Sequence, residues 1–359
     1  MTTIAVVGAG TLVGRAVLSR LQREPSVQEI VAVDLGEIDM PVGTLRLGSH
    51  ERLLPQAIED AEVVVHCGLE ATEPEWEGGG TTLARTVEGT RTVLEAAAKI
   101  GVRKLAVVSS AMVYGAHPDN PLPLDEQAAL RADPDLPYAY RFMLAERLVE
   151  EWAGENPGVT VTVLRPALTW AAGADIGMSR HLASPRVPLV GDQSAPLQLV
   201  HADDVAEAVR LAVTRDLPGY YNVAAGGWLP VSEMLALLGR RSVTVPEATA
   251  YGAVRWLWKH RLWHLPPTAL PYLMYPWVVT SERLADLGWS PEWSNRELLR
   301  MFAREHRDHL HFGRFRLRRR NLYAPAVAFG ALLLGLLASQ LTARVRYRAA
   351  SRAGEGARR

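Results

Sequence analysis

Cysteine is almost missing from this chain: Cys67 is the one example in 359 residues. A lone thiol excludes an internal disulfide framework and a cysteine-built zinc site, and it fits a reducing compartment. The N-terminus, Met1-Thr2-Thr3-Ile4, lacks the basic stretch that opens a secretory signal. Net charge is missing too, because 39 basic and 39 acidic residues cancel. With 48% apolar and 22% charged residues, the composition sets aside a disordered chain, a polytopic membrane protein and low-complexity sequence. No internal repeat is apparent, and the length suggests two domains.

The cancelled charge hides an asymmetry. From His311 onward there are eleven Arg, no Lys and a single acidic residue, Glu355. That leaves 28 basic and 38 acidic residues before it, a body of net charge about −10. An acidic body disfavours a nucleic-acid partner, since phosphate binding needs a positive surface. Within the basic tail, residues 322–341 read LYAPAVAFGALLLGLLASQL, twenty positions without a charge. As a helix rising ~1.5 Å per residue they span ~30 Å, the hydrocarbon thickness of a bilayer. Arg314, Arg316, Arg318, Arg319 and Arg320 precede the run and Arg344, Arg346 and Arg348 follow it, flanks suited to phospholipid headgroups. Pro325 falls in the first turn, where a helix tolerates it. The run is expected as a transmembrane or membrane-embedded helix, between a basic juxtamembrane segment over 311–321 and a basic tail over 342–359, with the main domain cytoplasmic. The competing reading is a buried C-terminal helix of a soluble domain, against which the eight flanking Arg argue.

The body alternates strand and helix. Short apolar runs at 4–7, 30–33, 63–66, 105–109 and 159–164 read as strands, and 81–100 and 138–152 as helices. This order predicts an α/β fold with a parallel, doubly wound sheet and right-handed crossovers. The sheet domain is expected over 1–166. A smaller substrate part is expected over 167–310, where the pattern loosens, with some segments returning to the sheet.

After the first strand, Gly8, Gly10, Thr11, Leu12, Val13 and Gly14 make a tight turn into a helix. Glycine lets the backbone approach a pyrophosphate, and the helix start offers N–H groups and a positive dipole. Asp34 ends the second strand, where a carboxylate can accept both ribose hydroxyls of an adenosine and repel a 2′-phosphate. The pair favours NAD over NADP. The bland alternative is a glycine turn made for packing and an aspartate capping a loop.

At this point the chain resembles the extended short-chain dehydrogenases/reductases, which include NAD-dependent nucleotide-sugar epimerases and dehydratases and 3β-hydroxysteroid dehydrogenases. The likeness runs from residue 3 to about 300. It rests on the glycine turn, on Val64-Val65-His66, on Val87, Gly89 and Thr90, on Val107-Val108-Ser109-Ser110, and on Val113-Tyr114-Gly115. It continues through Pro137, Tyr138 and Glu146, Leu164-Arg165-Pro166, His201 to Ala206, Tyr221-Asn222-Val223 and Leu287-Gly288-Trp289-Ser290-Pro291. The resemblance implies a Rossmann-like fold and cofactor contacts from Leu35, Cys67, Gly68, Ser109, Tyr138 and Pro166, besides the turn and Asp34. It implies a small-molecule or lipid-like substrate and a homodimer built on the helices at 81–100 and 138–152.

In the family a tyrosine, with a lysine four residues later on the same helix face, exchanges the proton. The lysine eases ionisation of the tyrosine, and a serine or threonine polarises the substrate oxygen. Tyr138 and Ser110 match the tyrosine and the serine, but the lysine position is Phe142. Taking Tyr140 as the tyrosine puts Leu144 there instead. Arg141 lies about 100° round the helix from the required face. A free tyrosine with pKa ~10 is ionised to only about one part in a thousand at pH 7. Further departures are Thr11 for the middle glycine, Thr86 for an asparagine and Ser49 for an aspartate. Two readings stand. One is a membrane-anchored NAD-dependent oxidoreductase or epimerase acting on a hydrophobic or lipid-linked alcohol or ketone, or a nucleotide sugar. The other is a non-catalytic NAD(H)-binding scaffold or redox sensor.

Lesser signals complete the sequence. The stretch 251–277 carries Trp256, Trp258, Trp263 and Trp277 with basic residues, fitting either a membrane-facing element or a substrate-domain core. His201, Asp203 and Asp204 could ligate a metal, but they are read as a capped helix start, and His260 with His264 lacks a third ligand. No metal is expected.

Overall fold

The computed structural model describes residues 2–34, 54–69, 79–174, 177–191, 195–263, 265–307, 309–312 and 315–318. Strand β1 (Thr2–Val7) buries Ile4, Ala5 and Val6. An unbroken apolar run of this kind suits a strand covered on both faces. Helix α1 (Leu12–Leu21) follows, with buried Val13, Val17, Leu18 and Leu21 at helical spacing on one face. Next come β2 (Val27–Val33), a short α2 (Leu54–Ala57), β3 (Val63–His66), α3 (Gly79–Ile100), β4 (Lys104–Val108), α4 (Pro137–Glu155) and β5 (Thr160–Pro166). The expected elements are present, with ends moved by a few residues. Strand β2 starts at Val27 because an edge strand keeps Gln28 and Glu29 in water while still pairing with β1.

The second part holds β6 (Leu168–Trp170), α5 (Gly177–Leu182), β7 (Arg186–Val190), β8 (Leu199–His201), α6 (Ala202–Thr214) and β9 (Gly219–Val223). It continues with α7 (Val231–Leu238), β10 (Arg241–Val245), α8 (Glu247–Lys259), α9 (Pro271–Met274), α10 (Glu282–Ala285) and α11 (Asn295–Glu305). Strands β11 (His309–Phe312) and β12 (Phe315–Arg318) close the described chain as an antiparallel hairpin.

Six strands form one parallel sheet in the order β2-β1-β3-β4-β5-β9. The chain winds from β1 outward to β2, then crosses back over β1 to β3 and continues the other way. Right-handed crossovers therefore place α1 on one face and α3 with α4 on the other. α6 packs on α1, and the pair is tied by Arg20 Nε at 2.5 Å from the carboxylate of Glu207, which Arg210 of the same α6 also holds at 2.7 Å. Through α6 and β9, the second part returns to the sheet. The reversal between β1 and β3 opens a crevice outside their carboxyl ends, where ligands of such sheets bind.

The rest of the second part has its own apolar cluster, with Trp170, Leu182, Leu199, Leu298 and Phe302. Two buried amides lock its loops. Gln198 accepts from Val279 N at 2.8 Å and donates to Gly227 O at 3.0 Å, and Asn295 accepts from Leu199 N at 2.7 Å. The tryptophan-rich stretch divides: Trp277 and Tyr272 are buried, whereas Trp256 on α8 is 57% exposed. Among the described residues no helix is long and apolar enough to cross a membrane. The expected helix at 322–341, its basic tail, Leu35 and Ser49 lie outside the described residues.

Candidate functional site

The glycine turn sits at the crevice, and its geometry explains which glycines it needs. Gly8 has φ +82°, and a Cβ there would lie 2.4 Å from Gly68 N, so the turn runs against the chain leaving β3. A Cβ on Gly14 would lie 2.1 Å from Gly8 O, which lets α1 seat on the turn. Thr11, at the family's middle glycine, has an ordinary extended conformation and caps α1. Its hydroxyl accepts from Gly14 N at 3.0 Å and donates to Gly8 O at 2.8 Å. The departure from the family pattern is thus a helix cap. It leaves the first-turn amides of Leu12 and Val13 without intrahelical acceptors, as an anion site requires.

Asp34 folds over this turn and accepts from Gly10 N at 2.6 Å through Oδ2. A glycine at position 10 is explained by the carboxylate, because a Cβ would lie 3.0 Å from that oxygen. Arg15, which the sequence reading missed, donates from Nε to Gly10 O at 3.0 Å and brings a cation to the turn's rim. A carboxylate one step from the open amides is the arrangement that takes a ribose hydroxyl and rejects a 2′-phosphate.

Cys67 and Gly68 leave β3 beside Gly8, with Cys67 buried and its N–H donated to Val7 O at 2.7 Å. Just before them, burial pushes the His66 imidazole down to about 4, so it is neutral at pH 7. Gly68 N donates to its Nδ1 at 3.4 Å, so Nε2 carries the hydrogen facing Thr90 Oγ1 at 3.3 Å, which donates on to Thr86 O at 2.8 Å. This chain joins β3 to α3 through Thr86, at the family's asparagine position.

Ser109 does not turn its side chain toward the crevice. Its hydroxyl donates to Glu146 Oε1 at 2.5 Å in the core, and its N–H donates to Leu164 O. Glu146 also accepts from Arg165, whose Nη2 lies 2.6 Å away. Arg165 donates to the Tyr114 hydroxyl at 2.9 Å, and Tyr114 donates to Asn222 Oδ1 at 2.8 Å. Burial pushes Tyr114 up to about 12, so it stays a neutral phenol. Pro166 ends β5 within the sheet, in register with Val223 of β9.

Ser110 caps the 3-10 turn Ala111–Tyr114, its hydroxyl accepting from Met112 N at 3.2 Å, and that turn packs on α4. Tyr138 stands half-buried in the first turn of α4, with Pro137 ahead of it. Phe142, at the lysine position, is buried and meets the Tyr138 ring edge-on at 5.8 Å. The sequence expectation for Arg141 needs correction. It follows Tyr138 by three residues and so neighbours it on α4; its side chain is fully buried and sets its guanidinium 4.4 Å over the Tyr138 ring and 5.0 Å over Phe142. A cation therefore stands beside Tyr138 after all.

His201 and Asp204, among the residues considered for a metal, make structural contacts, and His264 lies outside the described residues. His201 caps α6 by accepting from Asp203 N at 3.2 Å. Asp204 is drawn away from it to Glu292 N at 2.7 Å and Trp293 N, pinning the segment after Trp289, whose indole donates to Asp204 O. No cluster of metal-ligating side chains occurs among the described residues.

A parallel sheet with a reversal point, a capped glycine turn presenting amides there, and a carboxylate on the next strand define a dinucleotide-binding α/β protein. More narrowly, the chain belongs to the NAD dependent epimerase/dehydratase family, whose model matches residues 4–224. An uncharacterized protein of Mycobacterium tuberculosis is 26% identical over 309 residues, covering 82% of this chain and 81% of that protein. The N-acetyl-alpha-D-glucosaminyl-diphospho-ditrans,octacis-undecaprenol 4-epimerase of Escherichia coli O157:H7 is 26% identical over 194 residues, 52% of this chain and 56% of that protein. The UDP-glucose 4-epimerase of Thermotoga maritima, solved with UDP-glucose, superposes with TM-score 0.66 at 20% identity over 85% of this chain and 98% of that one. The family and its solved NAD-bound neighbours accord with NAD as the cofactor.

Proposed function

We propose that this chain is an NAD-dependent epimerase or oxidoreductase working at a membrane on a lipid-linked sugar or a similarly hydrophobic alcohol or ketone. The observation that carries the catalytic reading is the Arg141 guanidinium 4.4 Å over the Tyr138 ring, which supplies the positive charge that the family takes from its lysine. NAD, when bound, supplies a hydride acceptor and donor at its nicotinamide ring. The amides of Leu12 and Val13 bind its pyrophosphate, and Asp34 holds the ribose hydroxyls. Tyr138 takes up and returns the proton of the substrate hydroxyl, while Ser110 donates a hydrogen bond to the substrate oxygen. The lipid-linked substrate is favoured by the uncharged run at 322–341 and by the Escherichia coli relative, which by its name acts on an undecaprenol-linked sugar.

The test is turnover of undecaprenyl-diphosphate-linked N-acetylhexosamines by the full chain in proteoliposomes with NAD. A positioned acid/base contributes about 10²- to 10⁴-fold. Tyr138→Phe is expected to cost that factor, with Arg141→Met moving in the same direction while both variants keep NAD-induced thermal stabilisation. Turnover unchanged by Tyr138→Phe overturns the assignment. A second reading, a non-catalytic NAD(H) binder, is favoured by the buried Phe142. It expects thermal stabilisation by NAD with no turnover of any of these substrates.

A further inference from the structure

We infer that an arginine groove between α7 and α11 docks anionic phospholipid headgroups and sets the orientation of the domain on its membrane. The inference rests on the membrane reading above. The groove is open, has a volume of about 420 Å³, and is lined by Arg240, Arg300, Arg304 and Arg307 together with Leu237 and Gly239. Its lining contains no acidic residue. Arg300 and Arg304, four apart, share one side of α11, away from the buried Leu298, Leu299 and Phe302, and Arg307 follows in the turn after the helix. All three are exposed, and no ion pair joins any of them to a carboxylate among the described residues.

The nearby acids have their closest partners elsewhere, although the charge of Arg300 also acts on Glu233 and Glu297. Glu233 pairs with Arg296, Glu297 closes the capping box with Ser294, and Glu305 accepts from Gly173 N at 2.9 Å. The cations at the end of α11 also sit at the negative pole of its dipole, which favours them there. What remains is a concave patch of guanidinium groups on a body that is otherwise acidic, and guanidinium binds phosphate in a two-pronged geometry.

Chain continuity chooses the occupant. Residue 322, where the uncharged run begins, follows Arg307 by 15 residues, and the hairpin between them carries Arg316 and Arg318. Because the hairpin folds most of that linker back on itself, it is shorter than the ~50 Å of an extended chain, and a membrane entered by the run lies within reach of the groove. A nucleic-acid strand is disfavoured by the acidic charge of the rest of the body.

The full chain is floated with vesicles of phosphatidylcholine alone and of phosphatidylcholine with phosphatidylglycerol, beside the variant Arg300→Gln/Arg304→Gln/Arg307→Gln. An arginine near an anionic surface contributes about fivefold in partitioning. The variant is expected to lose at least ~10-fold of its preference for anionic over neutral vesicles while keeping its melting temperature, because these side chains are in water. In the wild-type chain, phenylglyoxal modification of the three arginines is expected to slow severalfold on anionic vesicles relative to neutral ones. An anionic preference equal in variant and wild type overturns the inference. Equal protection of these arginines by inorganic phosphate or an RNA oligomer without vesicles also overturns it, in favour of a soluble anion. Flotation with neutral vesicles reads the apolar run separately, so loss of that signal counts against the membrane anchor while the variant comparison still judges the groove.

Discussion

Two glycines in the family-like blocks have opposite meanings, and the difference is a matter of ångströms. Gly14 has Gly8 O at 2.1 Å from where its Cβ would stand, whereas a Cβ on Gly89, within α3, meets nothing within 4 Å. Gly14→Ala is expected to cost about 1–3 kcal/mol, the range for overpacking a rigid site, and to abolish the NAD-induced rise in melting temperature. Gly89→Ala is expected to gain about 0.5–1 kcal/mol by relieving backbone entropy in a helix interior. Calorimetry of the two variants checks both signs. The same scale accounts for Phe142. It is 1% exposed and packs beneath Tyr138, so restoring lysine there would push an ammonium into the core next to the Arg141 guanidinium. Charge repulsion and desolvation would destabilise that variant without rescuing chemistry.

Between elements, a buried polar network does the joining. Glu146 on α4, Arg165 on β5, Tyr114 after β4 and Asn222 on β9 are linked by hydrogen bonds of 2.6–2.9 Å, with Ser109 closing the set at 2.5 Å. Glu126 adds an edge by accepting from Asn222 N at 2.8 Å. Both members of the central ion pair are at most 3% exposed in their side chains. Removing one partner of such a pair strands the other charge. Arg165→Met is therefore expected to cost about 3–5 kcal/mol in urea unfolding, and adding Glu146→Gln in the same chain is expected to recover part of the loss. A loss below 1 kcal/mol would show that the network contributes little. The network includes Ser109, next to Ser110, and Glu146, on the same helix as Tyr138, so it fixes the elements that carry that pair.

For the whole molecule, acid sensitivity follows from two buried imidazoles. Burial holds His66 and His181 near 4, below the ordinary 6.5. The unfolded chain binds protons at these sites between pH 6.5 and 4 while the folded chain does not, so stability is complete above pH 6.5 and falls as the pH drops toward 4. Each histidine is expected to cost about 2 kcal/mol between pH 7 and pH 5. Urea unfolding at the two pH values measures the sum, and His66→Phe should flatten the slope by about half. An unchanged midpoint across that interval would contradict it.

The parallel sheet, the order of its elements, the glycine turn, Asp34 and the candidate pair Ser110 and Tyr138 were legible in the sequence. Strand and helix periodicities are local, and glycine or carboxylate at a strand end carries its chemistry wherever the strand goes. The run at 322–341 and the basic segments beside it were equally plain as composition. What local pattern could not show were relations across long sequence separations. Examples are Glu146 with Ser109 and Arg165, Asp204 with residues 292 and 293, and Arg240 facing Arg300, Arg304 and Arg307. Spacing of three makes Arg141 a neighbour of Tyr138 on α4, but that its guanidinium is buried over the ring was decided by packing. Periodicity determines the backbone scaffold from the sequence alone. Only tertiary packing decided where the charges meet, since burial and distance set the strength of each electrostatic interaction.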